Sequence, residues 1–161
     1  PGQSLKNPYT GILSIFTRLA LQNEEINIFE DGLESRDFVH IEDVVTATIS
    51  CLKLEIKGQH ILNVGSGDPI NVIEVAQEIV NYLKSESEIK ISGAFREGDI
   101  RHNYADLKLI KEITGFEPKW TFKDGLHSFI DWAVTQNDIP KDTSDYNKSL
   151  TELKEKGLLN G

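Results

Sequence analysis

Apolar positions along the chain recur every three to four residues in six stretches, which is the spacing of an amphipathic helix. Asp43 is placed to begin the second of these helices, and Asn71 followed by Glu74 resembles a capping box for the third. Gly115 ends the fourth, since glycine readily adopts the left-handed conformation that closes a helix. The predicted helices cover about residues 8–23, 43–52, 72–84, 106–114, 123–136 and 149–156.

Shorter apolar or alternating runs between the helices predict strands. These strands cover residues 26–30, 38–41, 60–64 and 89–95, and Asp31-Gly32 forms a tight turn after the first. Strands and helices that alternate through short connections indicate an α/β domain. We expect this domain to fall short of a complete doubly wound sheet.

Charge and composition narrow the classes of partner. The chain has 161 residues, a formal net charge of -9 and one cysteine. This length favours one domain, the negative charge argues against nucleic acid or an anionic membrane, and the single cysteine fits a reducing compartment such as the cytoplasm. Because no methionine occurs, we expect the natural product to extend beyond Pro1 and the chain to be a piece of something larger.

Arginine is scarce in this chain, and its positions are clustered. Four arginines accompany thirteen lysines, and three of the four lie in two short segments, residues 35–40 and 95–102. The guanidinium group is a planar, two-pronged donor that suits phosphate or carboxylate. We therefore expect the arginines of these segments to bind an anion locally. The alternative is that each forms an ion pair with an acidic neighbour in its own segment.

Two patterns resemble cofactor or catalytic motifs but fit them poorly. Gly65-Ser66-Gly67 follows a predicted strand, yet the third glycine is missing and Pro69 removes a backbone donor, which disfavours a dinucleotide site. Tyr104 and Lys108 have the Tyr-x-x-x-Lys spacing, but Asp106 is expected to cap the helix and to leave Tyr104 outside it. The histidines lack metal-ligand spacing. We assign no catalytic, cofactor-binding or metal-binding residue to this chain.

Several segments, taken in order, resemble one known family. These segments are Pro1–Gly11, Ile28–His40, Leu62–Gly67 and Arg96–His102, with Lys154–Leu158 near the end. On these motifs the chain resembles the C-terminal half of the extended short-chain dehydrogenase/reductase family, the NAD-dependent nucleotide-sugar epimerases and dehydratases. The likeness covers residues 1 to about 135 in one collinear order, and its details are most similar to the UDP-glucose 4-epimerase and dTDP-L-rhamnose 4-epimerase branches.

The resemblance implies a division of the full-length protein into two halves. A Rossmann half, absent from this chain, binds NAD and carries the catalytic tyrosine and lysine. The smaller C-terminal half is a mixed α/β domain that closes over the nucleotide-sugar. Residues 1–135 are then the substrate-binding domain, and residues 136–161 are a polar C-terminal tail with a short helix.

The resemblance also implies roles for particular residues. Arg36 and Arg96 hold the diphosphate, and Asp99 contacts the ribose. The strand that contains Asn27 and Phe29 lies against the nucleotide base. The full set of implied substrate-binding residues is Asn7, Asn27, Phe29, Arg36, Arg96, Asp99 and Arg101.

Two members of this set have less specific roles. Asn7 is expected near the phosphates or the sugar. Arg101 either reaches the ligand or braces its loop through Asp99. Both possibilities stay open for Arg101 at this stage.

The implied activity of the full-length protein is that of an NAD-dependent nucleoside-diphosphate-sugar 4-epimerase, an isomerase acting on a UDP- or dTDP-sugar. We expect this chain alone to be inactive and the full-length protein to be a cytoplasmic homodimer without nucleic-acid or membrane partners. Two alternatives stay open. One is a 4,6-dehydratase or decarboxylase of the same family, and the other is a free-standing module that binds nucleotide-sugars. The sequence that precedes Pro1 would distinguish them.

Overall fold

Helices and short strands alternate along the chain in a computed structural model that describes residues 1–3, 5, 11–55, 58–136 and 144–161. The helices are α1 (Ile12–Gln22), α2 (Ile41–Lys53), α3 (Val72–Leu83), α4 (Lys108–Thr114), α5 (Phe122–Val134) and α6 (Ser144–Glu155). The strands are β1 (Ile26–Ile28), β2 (Ser35–Asp37), β3 (Pro69–Asn71), β4 (Ile89–Ile91), β5 (Phe95–Arg96), β6 (His102–Asn103) and β7 (Leu159–Asn160). No helix within these ranges has the length and apolar character needed to span a bilayer.

The strands form three small sheets. β1 and β4 pair in parallel, with Ile26 opposite Ile89. β2 lies between antiparallel β3 and parallel β6, and β5 pairs with antiparallel β7. The largest sheet among the described residues therefore has three strands, and the prediction of a small mixed α/β fold is confirmed.

The main core lies where α1, α3 and α5 pack around β1. Phe16 from α1, Ile79 from α3 and Ile130 from α5 are each at most 4% exposed. Burying one such side chain contributes about 1.5–3 kcal/mol. Because side chains alternate along a strand, the burial of Ile26 and Ile28 leaves the intervening residue of β1 on the opposite face. This core therefore fixes the strand that borders the candidate site.

The predicted strand over residues 38–41 is wrong. β2 ends at Asp37, and His40 is already the N-cap of α2, where its Nδ1 accepts a hydrogen bond from the Glu42 N–H at 3.3 Å. Phe38 packs against the main core, so its apolar character serves tertiary packing and not a strand ladder. A short apolar run is ambiguous between these two uses.

Asp43, which was predicted to begin α2, lies instead in the first turn of that helix. Its carboxylate is buried and accepts hydrogen bonds from the backbone N–H groups of Lys119 and Trp120, each at 3.1 Å. A negative charge in the first turn is also favourable to the helix dipole. Asp43 therefore ties α2 to the segment that precedes α5.

Two further strand predictions need correction. Residues 60–64 form no strand, and their apolar side chains Leu62 and Val64 pack instead against a second, smaller cluster of Ala47 from α2, Ile110 from α4 and Phe116. The run 89–95 divides into β4 and β5, because Gly93 has a φ of +72° that interrupts the extended chain.

Candidate active-site cleft

A cleft of about 440 Å³ opens between α1, the end of β1, β2 and β5. These elements are distant in sequence and meet because β1 pairs with β4, β2 pairs with β6, and β5 follows β4 directly. Among the residues that line the cleft are five of the seven predicted substrate contacts: Asn27, Phe29, Arg36, Arg96 and Asp99.

Arg36 connects two walls of the cleft. Its Nη2 donates to Oδ1 of Asp99 at 3.0 Å, and its Nη1 donates to the backbone oxygens of Ser35 at 2.9 Å and Arg101 at 3.1 Å. The ion pair thus joins one arginine segment to the other, whereas the alternative from sequence placed such pairs within each segment. Arg36 is therefore a structural residue as well as a candidate anion ligand.

Arg96 is held differently from Arg36. Its guanidinium lies over the ring of Phe29, 5.4 Å from the centroid, in the geometry of a cation–π contact. Within the described ranges, no hydrogen bond or ion pair engages the Arg96 side chain. Its forked donors are therefore available to an anion in the cleft.

Arg101 does not line the cleft, although it was grouped with the other two arginines. Its Nη1 contacts Oε2 of Glu30 at 3.0 Å and its Nη2 contacts Oδ2 of Asp31 at 2.6 Å. The hydrogen bond from Arg101 lowers the pKa of Asp31. Arg101 thus braces the turn after β1, and no bond from its side chain to Asp99 is seen. Asn7 lies outside the described residues, and its role stays a prediction.

The Gly65–Gly67 turn does bind an anion, but that anion is the carboxylate of Asp37. Oδ1 of Asp37 accepts from the Ser66 N–H at 2.7 Å and the Ser66 hydroxyl at 2.6 Å. Oδ2 accepts from the N–H groups of Gly67 at 3.2 Å and Ala105 at 3.0 Å. Burial alone would raise the pKa of Asp37, but these hydrogen bonds outweigh it and the net pKa is lowered. The turn therefore does not fit a dinucleotide phosphate.

Replacing Gly65 by alanine should destabilise the protein by about 1–3 kcal/mol, the usual cost of overpacking. The added Cβ would overlap Oδ2 of Asp37 and lie 2.6 Å from Cβ of Ala105. Gly125→Ala is the matched control, because the nearest atom to its added Cβ is 3.6 Å away and the residue lies inside α5. In urea unfolding, only Gly65→Ala should have a lower midpoint than the unmodified chain. Equal midpoints for both variants would contradict this packing.

The C-terminal helix also reaches the cleft, through Tyr146. This side chain is 8% exposed, and the Arg18 guanidinium lies 5.8 Å from its ring centroid. Burial raises the pKa of Tyr146, against the opposing charges of Arg96 and Arg18. Sequence analysis missed Tyr146 because the tail is polar overall. The signal was the spacing of Tyr146, Leu150 and Leu153, which share one helical face.

Chemical groups for catalysis are sparse in the described part of the chain. Tyr104 lies outside α4, which begins at Lys108, so Tyr104 and Lys108 do not form a dyad on one helix. Tyr104 is also 59% exposed. In the described residues, no group of three or more histidine, cysteine or acidic side chains is arranged to hold a metal ion.

Comparison with known proteins places these features in a family context. Residues 1–65 match the model of the NAD dependent epimerase/dehydratase family. The chain is 36% identical over 138 residues to a dTDP-L-rhamnose 4-epimerase of Burkholderia thailandensis, a match that covers 86% of this chain and 38% of the relative. It is 32% identical to a UDP-N-acetyl-alpha-D-glucosaminuronate decarboxylase of Bacillus cytotoxicus, covering 78% of this chain and 40% of that protein.

Solved structures match the fold over a similar extent. MoeE5 in complex with UDP-glucuronic acid and NAD has a TM-score of 0.74 at 28% identity, covering 84% of this chain and 44% of that one. The UDP-N-acetylglucosamine 4-epimerase of Methanobrevibacter ruminantium, in complex with UDP-N-acetylmuramic acid, has a TM-score of 0.76 at 27% identity, with 84% and 43% covered. The chain thus spans about two fifths of the length of these relatives. The resemblance inferred from the sequence is confirmed, and this chain is a homologue of the NAD-dependent epimerase/dehydratase family.

Proposed function

We propose that the cleft binds the diphosphate of a nucleoside diphosphate-sugar and that the chain is the substrate-binding part of an NAD-dependent 4-epimerase. The observation that carries this proposal is Arg96, whose guanidinium faces the same cleft as Arg36 with its donors unengaged by described residues. A diphosphate has acceptor oxygens on both phosphorus atoms, and hydrogen bonds to charged groups contribute about 1.5–3 kcal/mol each.

The charge distribution supports local recognition of an anion. The whole chain carries a formal net charge of -9, so an anionic ligand gains nothing from the overall field. Arg36 and Arg96 place two positive charges at one cleft, which the carboxyl groups of Glu30, Glu34 and Asp99 also line, so an anion would have to be recognised by the guanidinium donors themselves. Asp99 partly neutralises Arg36 through their 3.0 Å contact, and a diphosphate would compete with it for the same donors. Asp99 then turns toward the ribose.

The nucleoside would extend from the diphosphate along β1. Asn27 lies between two buried isoleucines and offers an amide that both donates and accepts hydrogen bonds, as a pyrimidine edge requires. Phe29 offers a ring at the same end of the cleft. The substrate would thus be a UDP- or dTDP-sugar, and Asn7 remains a proposed contact to the phosphates or sugar.

NAD would be held by residues outside this chain. In the described ranges the donors of the glycine-rich turn Gly65–Gly67 are already engaged by the carboxylate of Asp37. When bound, NAD would supply the oxidation and reduction of the sugar, while the residues described here bind and orient the nucleotide. We propose that the isolated chain is inactive for this reason. Dimerisation of the full-length protein stays a prediction.

A decarboxylase of the same family is a second candidate. It is favoured by the 32% identity to the Bacillus cytotoxicus decarboxylase. Both activities require a nucleotide-sugar in the cleft, so the proposed binding role is common to them. A free-standing binding module would also bind the nucleotide, and a catalytic tyrosine and lysine in sequence preceding Pro1 would argue against it.

Isothermal titration calorimetry of the chain with UDP, UMP and inorganic pyrophosphate tests the proposed role. UDP should bind, and UMP should bind at least about tenfold more weakly, since it lacks the second phosphate and about 1.4 kcal/mol corresponds to tenfold in affinity. Pyrophosphate should compete with UDP. Equal affinities for UDP and UMP, or no binding of either UDP or pyrophosphate, would overturn the assignment.

We further propose that residues 1–135 form the substrate domain and that residues 136–161 are a tail whose Tyr146 completes one wall of the cleft. Leu159 in β7 is buried and pairs with Arg96 in β5. Leu159→Asp should therefore weaken UDP binding about tenfold or more, because a buried charge disrupts the pairing and competes for Arg96. Leu158→Asp is the control, since Leu158 is 43% exposed. Titration with UDP should separate the two variants, and equal affinities would contradict a role for the tail.

A further inference from the structure

Glu34 is a buried carboxyl group in the cleft that the proposed diphosphate contacts leave without a role. It is 7% exposed, lines the cleft and directly precedes β2. Its Oε1 has no hydrogen-bond partner among the described residues. Nη1 of Arg101 is 3.8 Å away, beyond hydrogen-bond distance. A buried acceptor left unpaired costs about 1–3 kcal/mol, and a ligand that donates to it would recover that cost.

The other carboxylates of the cleft are each bonded to an arginine. Asp99 is engaged by Arg36 at 3.0 Å, and Glu30 is engaged by Arg101 at 3.0 Å. Asp99 is also open to water, since its side chain is 48% exposed. Burial raises the pKa of Glu34, a hydrogen bond from its own backbone opposes the rise, and a side-chain hydrogen bond with Glu30 raises the pKa further. The hydrogen bond with Glu30 and the 3.8 Å ion pair with Arg101 still leave Oε1 of Glu34 without a hydrogen-bond partner among the described residues.

The missing partner of Glu34 is a donor and not a phosphate. Phosphate oxygens only accept at neutral pH, and their charge would repel a carboxylate. A nucleoside diphosphate also offers donors, namely the ribose hydroxyls, the hydroxyls of the attached sugar and the N–H of the base. The position of Glu34 selects among these three.

Glu34 directly precedes β2, Arg36 lies within that strand, and both residues line the cleft. Glu34 also adjoins Glu30, which directly follows Phe29 at the end of β1. It thus lies on the nucleoside side of the arginine that would hold a phosphate. The backbone oxygen of Glu34 accepts from the Val72 N–H at 2.9 Å, which anchors the residue to the start of α3.

We propose that Glu34 is a specificity residue that accepts a hydrogen bond from the ribose 2′-hydroxyl and so favours ribonucleotides such as UDP over 2′-deoxynucleotides. Asp99 would then take the 3′-hydroxyl. This inference rests on the proposed function, because it requires a nucleoside diphosphate in the cleft. It resolves the choice between UDP- and dTDP-sugars in favour of the UDP-sugar.

Calorimetric titration of UDP and 2′-deoxy-UDP, which differ only in that hydroxyl, tests the inference. The unmodified chain should prefer UDP about tenfold, as expected for one hydrogen bond to a charged group. Glu34→Ala should abolish the preference, because it should weaken the binding of UDP and leave that of 2′-deoxy-UDP unchanged. Glu34→Gln should retain part of it, because the amide oxygen still accepts. Both variants should bind pyrophosphate within about threefold of the unmodified chain, since the ribose bond contributes nothing to that ligand.

The outcomes separate this inference from the function on which it rests. Equal affinity of the unmodified chain for the two nucleotides, or an undiminished preference in Glu34→Ala, would overturn the role of Glu34 and leave the diphosphate site standing. Failure of the unmodified chain to bind UDP and pyrophosphate would overturn the proposed function and this inference together. Equal losses for UDP and pyrophosphate in Glu34→Ala would show a general effect on the arginines and would also reject the specificity role.

Discussion

Replacing Arg96 by lysine should weaken UDP binding by about tenfold or more while leaving thermal stability nearly unchanged. Lysine keeps the charge but loses the forked donor, and hydrogen bonds to charged groups contribute about 1.5–3 kcal/mol each. Stability should hold because, within the described residues, no hydrogen bond or ion pair engages the Arg96 guanidinium. Titration with UDP, paired with a thermal melt, measures both quantities on the same variant.

Two further arginine variants serve as comparisons. Arg36→Lys should lower both affinity and stability, because the guanidinium holds Asp99 and two backbone oxygens. Arg101→Lys should lower stability and leave UDP affinity much closer to that of the unmodified chain than Arg96→Lys does, because Arg101 lies outside the cleft and pairs with Glu30, Asp31 and the buried Glu34. Unchanged UDP affinity in Arg96→Lys would reject the diphosphate clamp, whatever the other two variants show.

Asp37→Ala should be among the most destabilising substitutions outside the core, at roughly 2–4 kcal/mol. Its carboxylate accepts four hydrogen bonds, three from backbone N–H groups and one from the Ser66 hydroxyl, and joins β2 to the Gly65–Gly67 turn and to Ala105. Removing it leaves these donors without a partner, at about 1–3 kcal/mol for each that stays buried. Urea unfolding at neutral pH measures the loss, and a midpoint equal to that of the unmodified chain would contradict it.

The same carboxylate predicts a pH dependence of stability. Because the folded-state pKa of Asp37 is lowered, its contribution is fully present above the unfolded pKa of about 3.9 and is lost as pH falls through the lowered folded value. Asp37→Asn removes this titration. The stability difference between the unmodified chain and Asp37→Asn should therefore shrink as the solution is acidified below about pH 4. A constant difference across that interval would exclude Asp37 as the source.

Helices were predicted well because burial of one face imposes a period on the sequence. The helix expected over residues 72–84 is observed at Val72–Leu83, and that over 123–136 at Phe122–Val134. Residues 60–64 show why strands were predicted less well, since their alternation is satisfied by packing on helices without any strand partner. The periodicity of hydrophobic residues alone does not show whether a partner strand lies beside the segment.

The candidate site was predictable in part. The scarcity of arginine pointed to Arg36 and Arg96, and the structure brings both to one cleft. The sequence did not reveal that Arg36 pairs with Asp99, a contact between residues 63 positions apart. Nor did it reveal the burial of Glu34. Those properties depend on which loops meet in the folded chain, and no local pattern encodes them.

A crystal structure of the chain grown with UDP would show directly whether the cleft holds a diphosphate between Arg36 and Arg96. We expect the two phosphates within about 2.7–3.2 Å of guanidinium nitrogens from both arginines, with the base beside Asn27 and Phe29. UDP bound elsewhere, or bound in the cleft with its phosphates directed to solvent and away from Arg96, would rule out the arginine clamp.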